Sequence, residues 1–299
     1  MDFRYVLCDV FTSRPLEGNQ LAVFTDARGV PEALLQPLAK EMNLSETVFV
    51  YPAVAGGHAR IRIFTPVREL PFAGHPILGT AFVLGGPLQL PTIVLETGGG
   101  LVPVVLEREG PKIIFGRMTQ PIPTVEPVPD ASAILAALGI GRSALPVEIY
   151  VNGPRHVAVV VDAPAQVATL APDLAALARA TPAGVSCFAG SGLRWKARYF
   201  APGQGVNEDP ATGSAAGAIA CHLLRHGRVD SGEEIEISQG SEIGRPSTLY
   251  ARVTGTRERI DSVEVGGSAV VVARGEFRLN VTATEFRLSP RSGERAAPA

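Results

Sequence analysis

The chain has 299 residues, 46% apolar and 19% charged, and its 27 Lys and Arg nearly balance 29 Asp and Glu, for a formal net charge of −2. With a mean hydropathy of +0.19 this composition excludes a disordered chain, and the missing basic excess removes support for a nucleic-acid partner. The length suits two domains facing a cleft, and because no run approaches the roughly 18 apolar residues that cross a bilayer, and Met1-Asp2-Phe3-Arg4 lacks a secretory pattern, the expectation is a cytoplasmic protein with no membrane partner.

In chain order, short β-type runs bounded by Gly, Pro, Asn or Asp fall at 5–7, 21–24, 47–51, 60–64, 93–96 and 101–106. Residues 31–42 read as a helix, with Leu34, Leu35, Leu38 and Met42 on one face and Pro31 in the first turn. Further helices are expected at 131–138, 171–180 and 213–226. Strands that follow one another without strict alternation with helices point to an α+β fold.

An internal repeat is the most informative feature. Arg62-Ile63-Phe64-Thr65-Pro66 is echoed 136 residues later by Arg198-Tyr199-Phe200-Ala201-Pro202. After each copy a small-residue stretch opens a helix, Ala73-Gly74-His75-Pro76 in the first and Thr212-Gly213-Ser214-Ala215 in the second. Duplicated halves are therefore expected over 1–122 and 128–279, broken at the proline-rich segment 121–129, with a terminal strand near 269–279 able to cross back to the first half. Residues 280–299 read as a flexible extension, and the glycosylation triplet Asn280-Val281-Thr282 carries no weight without a secretory signal.

Several chemistries lose support. Cys8, Cys187 and Cys221 lie far apart and form no CxxC, so they read as buried apolar residues rather than disulfides or zinc ligands. None of Lys40, Lys112 and Lys196 follows a glycine, which removes the phosphate-binding GxxxxGK[ST] loop, and neither GxGxxG nor GxSxG occurs.

Gly74 and Gly213 at helix starts either present free N–H groups to an anion or merely allow close packing. Asp209, before Pro210, is either ordinary helix-start chemistry or a group that positions a substrate amine or hydroxyl. Its neighbour Glu208 is expected to face solvent. His75 at a helix start tends toward neutrality, as suits a hydrogen-bond partner or proton relay, or is simply structural. Glu46 enters an apolar, β-branched strand. It is either an exposed edge residue or a desolvated carboxyl with the raised pKa of a general acid/base. His222 and His226 stand at i and i+4, a zinc-compatible spacing, but without HExxH they read as a helix-surface pair, and no metal is expected.

At this point the residues resemble the PhzF family of phenazine-biosynthesis isomerases, on the diaminopimelate-epimerase-like fold, over about residues 1–279. The resemblance rests on Gly18-Asn19, EMNLSETVF (41–49), RIFTPVRELPFAGHPILGT (62–80), NGPRH (152–156), CFAG (187–190), EDPATGSAAG (208–217) and QGSEIGRPS (239–247). It implies two pseudo-symmetric domains, each a sheet wrapped around a central helix, an active site in the cleft, a homodimer, and no cofactor or metal. It also implies isomerisation of trans-2,3-dihydro-3-hydroxyanthranilate to an aminoketone, and a possible handover of that product to the next enzyme. Glu46 matches the family's acid/base and His75 and Asp209 its polar partners. Ser45, Gly74, Gly213 and Ser214 match positions around the substrate carboxylate and amine, and Asn19 a neighbouring loop. Gln20 stands where proline is common in the family. Ala73 and Thr212 occupy the places of the two thiols used by related epimerases.

Overall fold

Among the described residues, short apolar runs ending at turn residues pair side by side into eighteen strands. The structure is a computed structural model and describes residues 2–128 and 130–279; the extension 280–299 and its Asn280 triplet lie outside the described residues. The first part of the chain runs β1 (Asp2–Val10), β2 (Asn19–Phe24), α1 (Glu32–Met42), β3 (Glu46–Tyr51), β4 (Ala59–Phe64), β5 (Glu69–Leu70), α2 (Gly74–Leu88), β6 (Thr92–Thr97), β7 (Gly100–Glu109), β8 (Lys112–Gln120) and β9 (Thr124–Pro127). The second runs α3 (Ser132–Leu138), β10 (Glu148–Val151), β11 (Arg155–Val160), α4 (Pro164–Thr169), α5 (Leu174–Ala180), β12 (Gly184–Ser191), β13 (Arg194–Ala201) and β14 (Val206–Asp209). It ends with α6 (Gly213–Arg225), β15 (Glu234–Gln239), β16 (Ser247–Gly255), β17 (Ile260–Gly267) and β18 (Ala269–Arg278).

The repeat in the sequence is a repeat in strand pairing. In the first set β1–β2 is antiparallel, β2–β3 parallel, β3–β4 antiparallel, β4–β6 parallel, and β6–β7 and β7–β8 antiparallel. From β10 to β17, leaving out β14, the same orientations recur in the same order. The two sets join where β8 pairs antiparallel with β17. Each also receives a strand from the tail of the other: β9 pairs with β10, and β18 with β1 from Asp2 opposite Arg278 to Val10 opposite Ala269. The proline-rich segment 121–129 thus contributes β9, which among the described residues pairs only with β10, an edge position where a missing N–H costs no ladder bond.

Side-chain alternation sorts each strand into two faces. Val48 and Val50 of β3 face the main core with Ile77, Leu78 and Ala81 of α2, while Phe49 faces the opposite way, onto Leu34, Leu35 and Leu38 of α1. In the second set Ala158 and Val160 of β11 face the main core with α6, and Val157 and Val159 face a separate cluster containing Leu138 of α3 and Leu177 of α5. Every such fully buried aliphatic side chain contributes on the order of 1.5–3 kcal/mol of transfer free energy. The three cysteines are free and buried.

The arginines of the repeat carry the same fork twice. Arg62 grips Glu69 of β5 through Nε and Nη2 at 2.7 and 2.6 Å, and Arg198 grips Glu208 of β14 at 2.8 and 2.7 Å. Each guanidinium lies over the phenylalanine two residues on, 5.2 Å from the Phe64 ring centroid and 4.9 Å from that of Phe200. Glu208 therefore does not face solvent as expected; its side chain is 12% exposed because Arg198 draws it inward.

Candidate active site

The alternation that turns Val48 and Val50 inward also turns Glu46 inward at the first position of β3, so it is no exposed edge glutamate. There it meets the starts of the two inner helices. A Cβ built on Gly74 would stand 2.6 Å from the Ser214 nitrogen and 2.7 Å from the Gly213 carbonyl carbon, so only glycine permits this approach of α2 to α6. The N-cap residues Ala73 and Thr212 make no side-chain cap bond, and neither first turn carries an acidic residue. Two uncapped, unneutralised positive helix ends thus share one place, which suits a carboxylate. Gln120 and Asn152 donate to the carbonyls of Gly213 and Ser214 at 2.9 and 3.0 Å and hold the α6 start in position.

Asp209 ends β14 and does not cap α6. Its carboxylate accepts from Asn19 Nδ2 at 2.9 Å, Ser45 Oγ at 2.7 Å and Thr212 Oγ1 at 2.6 Å, and its carbonyl accepts from Gln239 Nε2 at 2.8 Å. His75, in the first turn of α2, places Nδ1 3.3 Å from Glu46 Oε2 and 3.4 Å from Asn19 Nδ2. Asn19, Ser45, Glu46, Gly74, His75, Asp209, Gly213 and Ser214 therefore gather at one place. Gln120 and Gln239 join them from distant strands with no local signal in the sequence.

Burial, followed by the nearby charge of Asp209, holds the Glu46 carboxyl well above its ordinary pKa. Burial raises Asp209 as well, against the opposing pull of Thr212, Ser45 and Asn19. His75 is pushed down to about 3 by burial and is therefore neutral. Glu46, Ser45, Asp209 and Ser214, with His156 and Tyr199, line a cavity of about 40 Å³. That space holds a few waters rather than a six-membered ring acid, so a ring acid enters only as the walls move apart.

Two other features carry different roles. An open groove of about 610 Å³ passes Arg62, Glu69 and Glu96, but its charges are engaged with each other and with backbone, Glu96 accepting from the N–H groups of Val54, Ala55 and Gly57. His222 and His226 are not a surface pair: His222 is fully buried, because α6 is enclosed by strands over nearly its whole length. Glu148 Oε2 lies 3.2 Å from His222 Nδ1, 3.1 Å from His226 Nε2 and 2.7 Å from the Tyr150 hydroxyl. Ligand atoms of the three acid and imidazole groups all fall within 4.8 Å. The contacts present form a hydrogen-bonded clamp that ties the end of α6 to β10.

A protein from Pseudomonas aeruginosa named trans-2,3-dihydro-3-hydroxyanthranilate isomerase is 50% identical over 276 residues, covering 92% of this chain and 99% of that protein. A Pseudomonas fluorescens protein of the same name is 50% identical over 275 residues, with the same coverages. The fold is shared with a Bacillus anthracis protein of the PhzF family (TM-score 0.81, 23% identity, 93% of this chain and 100% of that one). It is shared too with a hydroxyproline epimerase from Agrobacterium vitis (TM-score 0.62, 12% identity, 92% of each). The phenazine biosynthesis-like family model matches residues 8–275, and the chain belongs to that family.

Proposed function

We propose that this chain is a trans-2,3-dihydro-3-hydroxyanthranilate isomerase of phenazine biosynthesis, forming 6-amino-5-oxocyclohex-2-ene-1-carboxylate without a cofactor. The observation that carries the reading is Glu46: a buried carboxyl whose Oε2 has no hydrogen-bond donor among the described residues, beside Asp209 and His75, where two uncapped helix starts meet. The names of relatives half identical along nearly the whole chain support it.

In this reading Glu46, ionised, takes the proton from the hydroxyl-bearing ring carbon 3 and returns it to carbon 1, which carries the carboxylate. The transferred proton gives a dienol, and the hydroxyl proton then passes to ring carbon 4 as the enol becomes the ketone, so atoms and electrons balance without a co-reactant. A base poised by burial toward the operating pH performs both transfers. The N–H groups at Gly74, Gly213 and Ser214 receive the substrate carboxylate and relieve the charge that would resist carbanion character at carbon 1. Asp209, with Ser45 and Asn19 fixed on it, takes the amine, and neutral His75 stands 3.3 Å from Glu46 Oε2 without a hydrogen bond to it. A two-thiol epimerase is chemically unavailable because Ala73 and Thr212 stand at the two helix starts.

Among the described residues no helix is long and apolar enough to cross a membrane. The reading places the protein in the cytoplasm as a homodimer that hands its reactive aminoketone to the next enzyme of the pathway. The test is incubation with the dihydro acid in deuterated water, following loss of the conjugated diene for the natural chain and Glu46→Gln. Rapid loss in the natural chain alone supports the reading. No loss in either removes this substrate and turns the search to other cyclic amino or hydroxy acids.

A further inference from the structure

The strand register reveals what the second strand set places where the first places Glu46. Val48 faces Ile63 across β3–β4, and Ser186 faces Tyr199 across β12–β13; since Tyr199 repeats Ile63, two residues earlier Glu46 corresponds to Gly184. The parallel neighbours agree: Leu21 stands opposite Glu46, and His156 opposite Gly184. The counterpart of the carboxylate is thus a residue without a side chain, and its space is filled from the neighbouring strand. A Cβ on Gly184 would lie 1.8 Å from the Tyr199 hydroxyl oxygen.

That hydroxyl is 2.9 Å from His156 Nδ1, and both side chains line the cavity that Glu46 lines. If Nδ1 carried the proton, the buried Tyr199 hydroxyl would be left without an acceptor. Tyr199 therefore donates, Nδ1 accepts, and the imidazole proton sits on Nε2. Burial holds His156 down to about 3, so the ring is neutral. His156 is 1% exposed and among the described residues Nε2 has no partner, a buried donor whose desolvation no hydrogen bond offsets.

Most donors on the cavity wall have other partners, Gln204 Nε2 among them, which donates to the Pro182 carbonyl at 3.3 Å. Ser45 and Thr212 donate to Asp209, and Thr65 to the Arg68 carbonyl. Ser214 sits at the helix start that takes the carboxylate. Of the substrate's polar groups, the oxygen on carbon 3 remains without a donor. We infer that His156 is a substrate-contacting residue whose Nε2–H, fixed by Tyr199, donates to the oxygen on ring carbon 3 from the strand beside Gly184, the counterpart of Glu46. The inference rests on the isomerase reading. As carbon 3 loses its proton its oxygen becomes an enol oxygen and then a carbonyl, and a neutral donor stabilises it without protonating it.

The test compares calorimetric binding of 3-hydroxyanthranilate and anthranilate, which differ only by this oxygen. The natural chain is expected to favour the hydroxylated ligand by about tenfold. His156→Phe should bind both alike at the anthranilate affinity of the natural chain, and His156→Gln should restore part of the preference. Nitrogen-15 correlation spectra of the natural chain should show His156 protonated at Nε2, a readout that needs no variant to fold. A proton on Nδ1, equal binding of the two ligands by the natural chain, or a preference that survives in His156→Phe overturns the assignment. A natural chain that isomerises the dihydro acid and gives one of those results loses only the His156 role; one that neither binds these ligands nor isomerises overturns the isomerase reading and this assignment together.

Discussion

Asp209 and Glu46 share one buried pocket but not its donors: the Asp209 carboxylate accepts from Asn19, Ser45 and Thr212 at 2.6 to 2.9 Å, whereas Glu46 Oε2 accepts from none. Donors stabilise the charged form of the acid they touch, so of the two carboxyls Asp209 ionises first and Glu46 holds its proton to higher pH. The asymmetry follows from topology. Asp209 ends a strand facing the Asn19 and Ser45 loops, while Glu46 begins one against apolar side chains.

The acid limb of kcat/KM is accordingly expected above the ordinary glutamate value of about 4.3, because burial and the Asp209 charge both raise Glu46. Asp209→Asn removes the charge and keeps one acceptor oxygen, which can serve Asn19 and Ser45 at the Oδ1 position while Thr212, bonded to Oδ2, loses its acceptor. Carbon-13 NMR of the Glu46 carboxyl should then show its titration moving to lower pH. A titration that stays in place would mean that Asp209 does not set the base.

The same shift has a stability signature. An acid whose folded pKa lies above its unfolded one binds more protons in the native state, so its contribution falls as pH rises from the unfolded value through the folded one. Glu46→Gln should therefore melt higher than the natural chain at neutral and alkaline pH, and the advantage should vanish near and below the ordinary glutamate value, where the carboxyl is protonated in both states. A variant that melts lower at neutral pH would show that the ionised carboxylate is well accommodated in the fold.

The glycine contact at the helix starts is tested by Gly74→Ala. The new methyl meets backbone atoms of Gly213 and Ser214, which cannot swing aside as a side chain can. The expected cost is about 1–3 kcal/mol of stability and roughly 100-fold in kcat/KM from displaced N–H donors. Gly86→Ala on the same helix, where a Cβ meets no other element within 4 Å, is the control; the usual gain of about 0.5–1 kcal/mol from Gly to Ala is opposed there by the crowding that Pro87 imposes on a helical residue before it, so little net change is expected. Equal melting temperatures for the two variants would contradict the contact.

Local signals single out the candidate residues, glycines at two helix starts, a carboxylate leading a β-branched strand and an aspartate before proline, but each leaves a structural reading open, and the family resemblance is what groups them into one site. What was not legible depends on partners far away in sequence. The full extent of α2 was hidden because it is apolar nearly all round, leaving no stripe to count. Glu208 looked solvated because nothing near it announces Arg198 on the adjacent strand. His222 and His226 have the same spacing whether their helix is covered or bare, and only the enclosure of α6 decides. The pairing of β9 with β10 joins the tail of the first strand set to the second, which no local pattern encodes.

The Glu148 clamp gives the last prediction. His222, burial, Tyr150 and His226 act on Glu148 in that order, and the hydrogen bonds outweigh desolvation and hold its carboxyl well below the ordinary glutamate range. A depressed folded pKa means that the stabilisation is present above the unfolded glutamate value and drains away as pH falls through the folded one. Glu148→Gln should melt below the natural chain at neutral pH, because the amide cannot accept from Tyr150 and both imidazoles with a full charge. The gap should narrow as pH falls below about 4.3, where the unfolded natural chain binds a proton that the folded one refuses. Thermal unfolding of both proteins across that range decides it. No gap at neutral pH would show that the clamp adds nothing to the fold, and a gap that stays constant into acid would show that its charge does not matter.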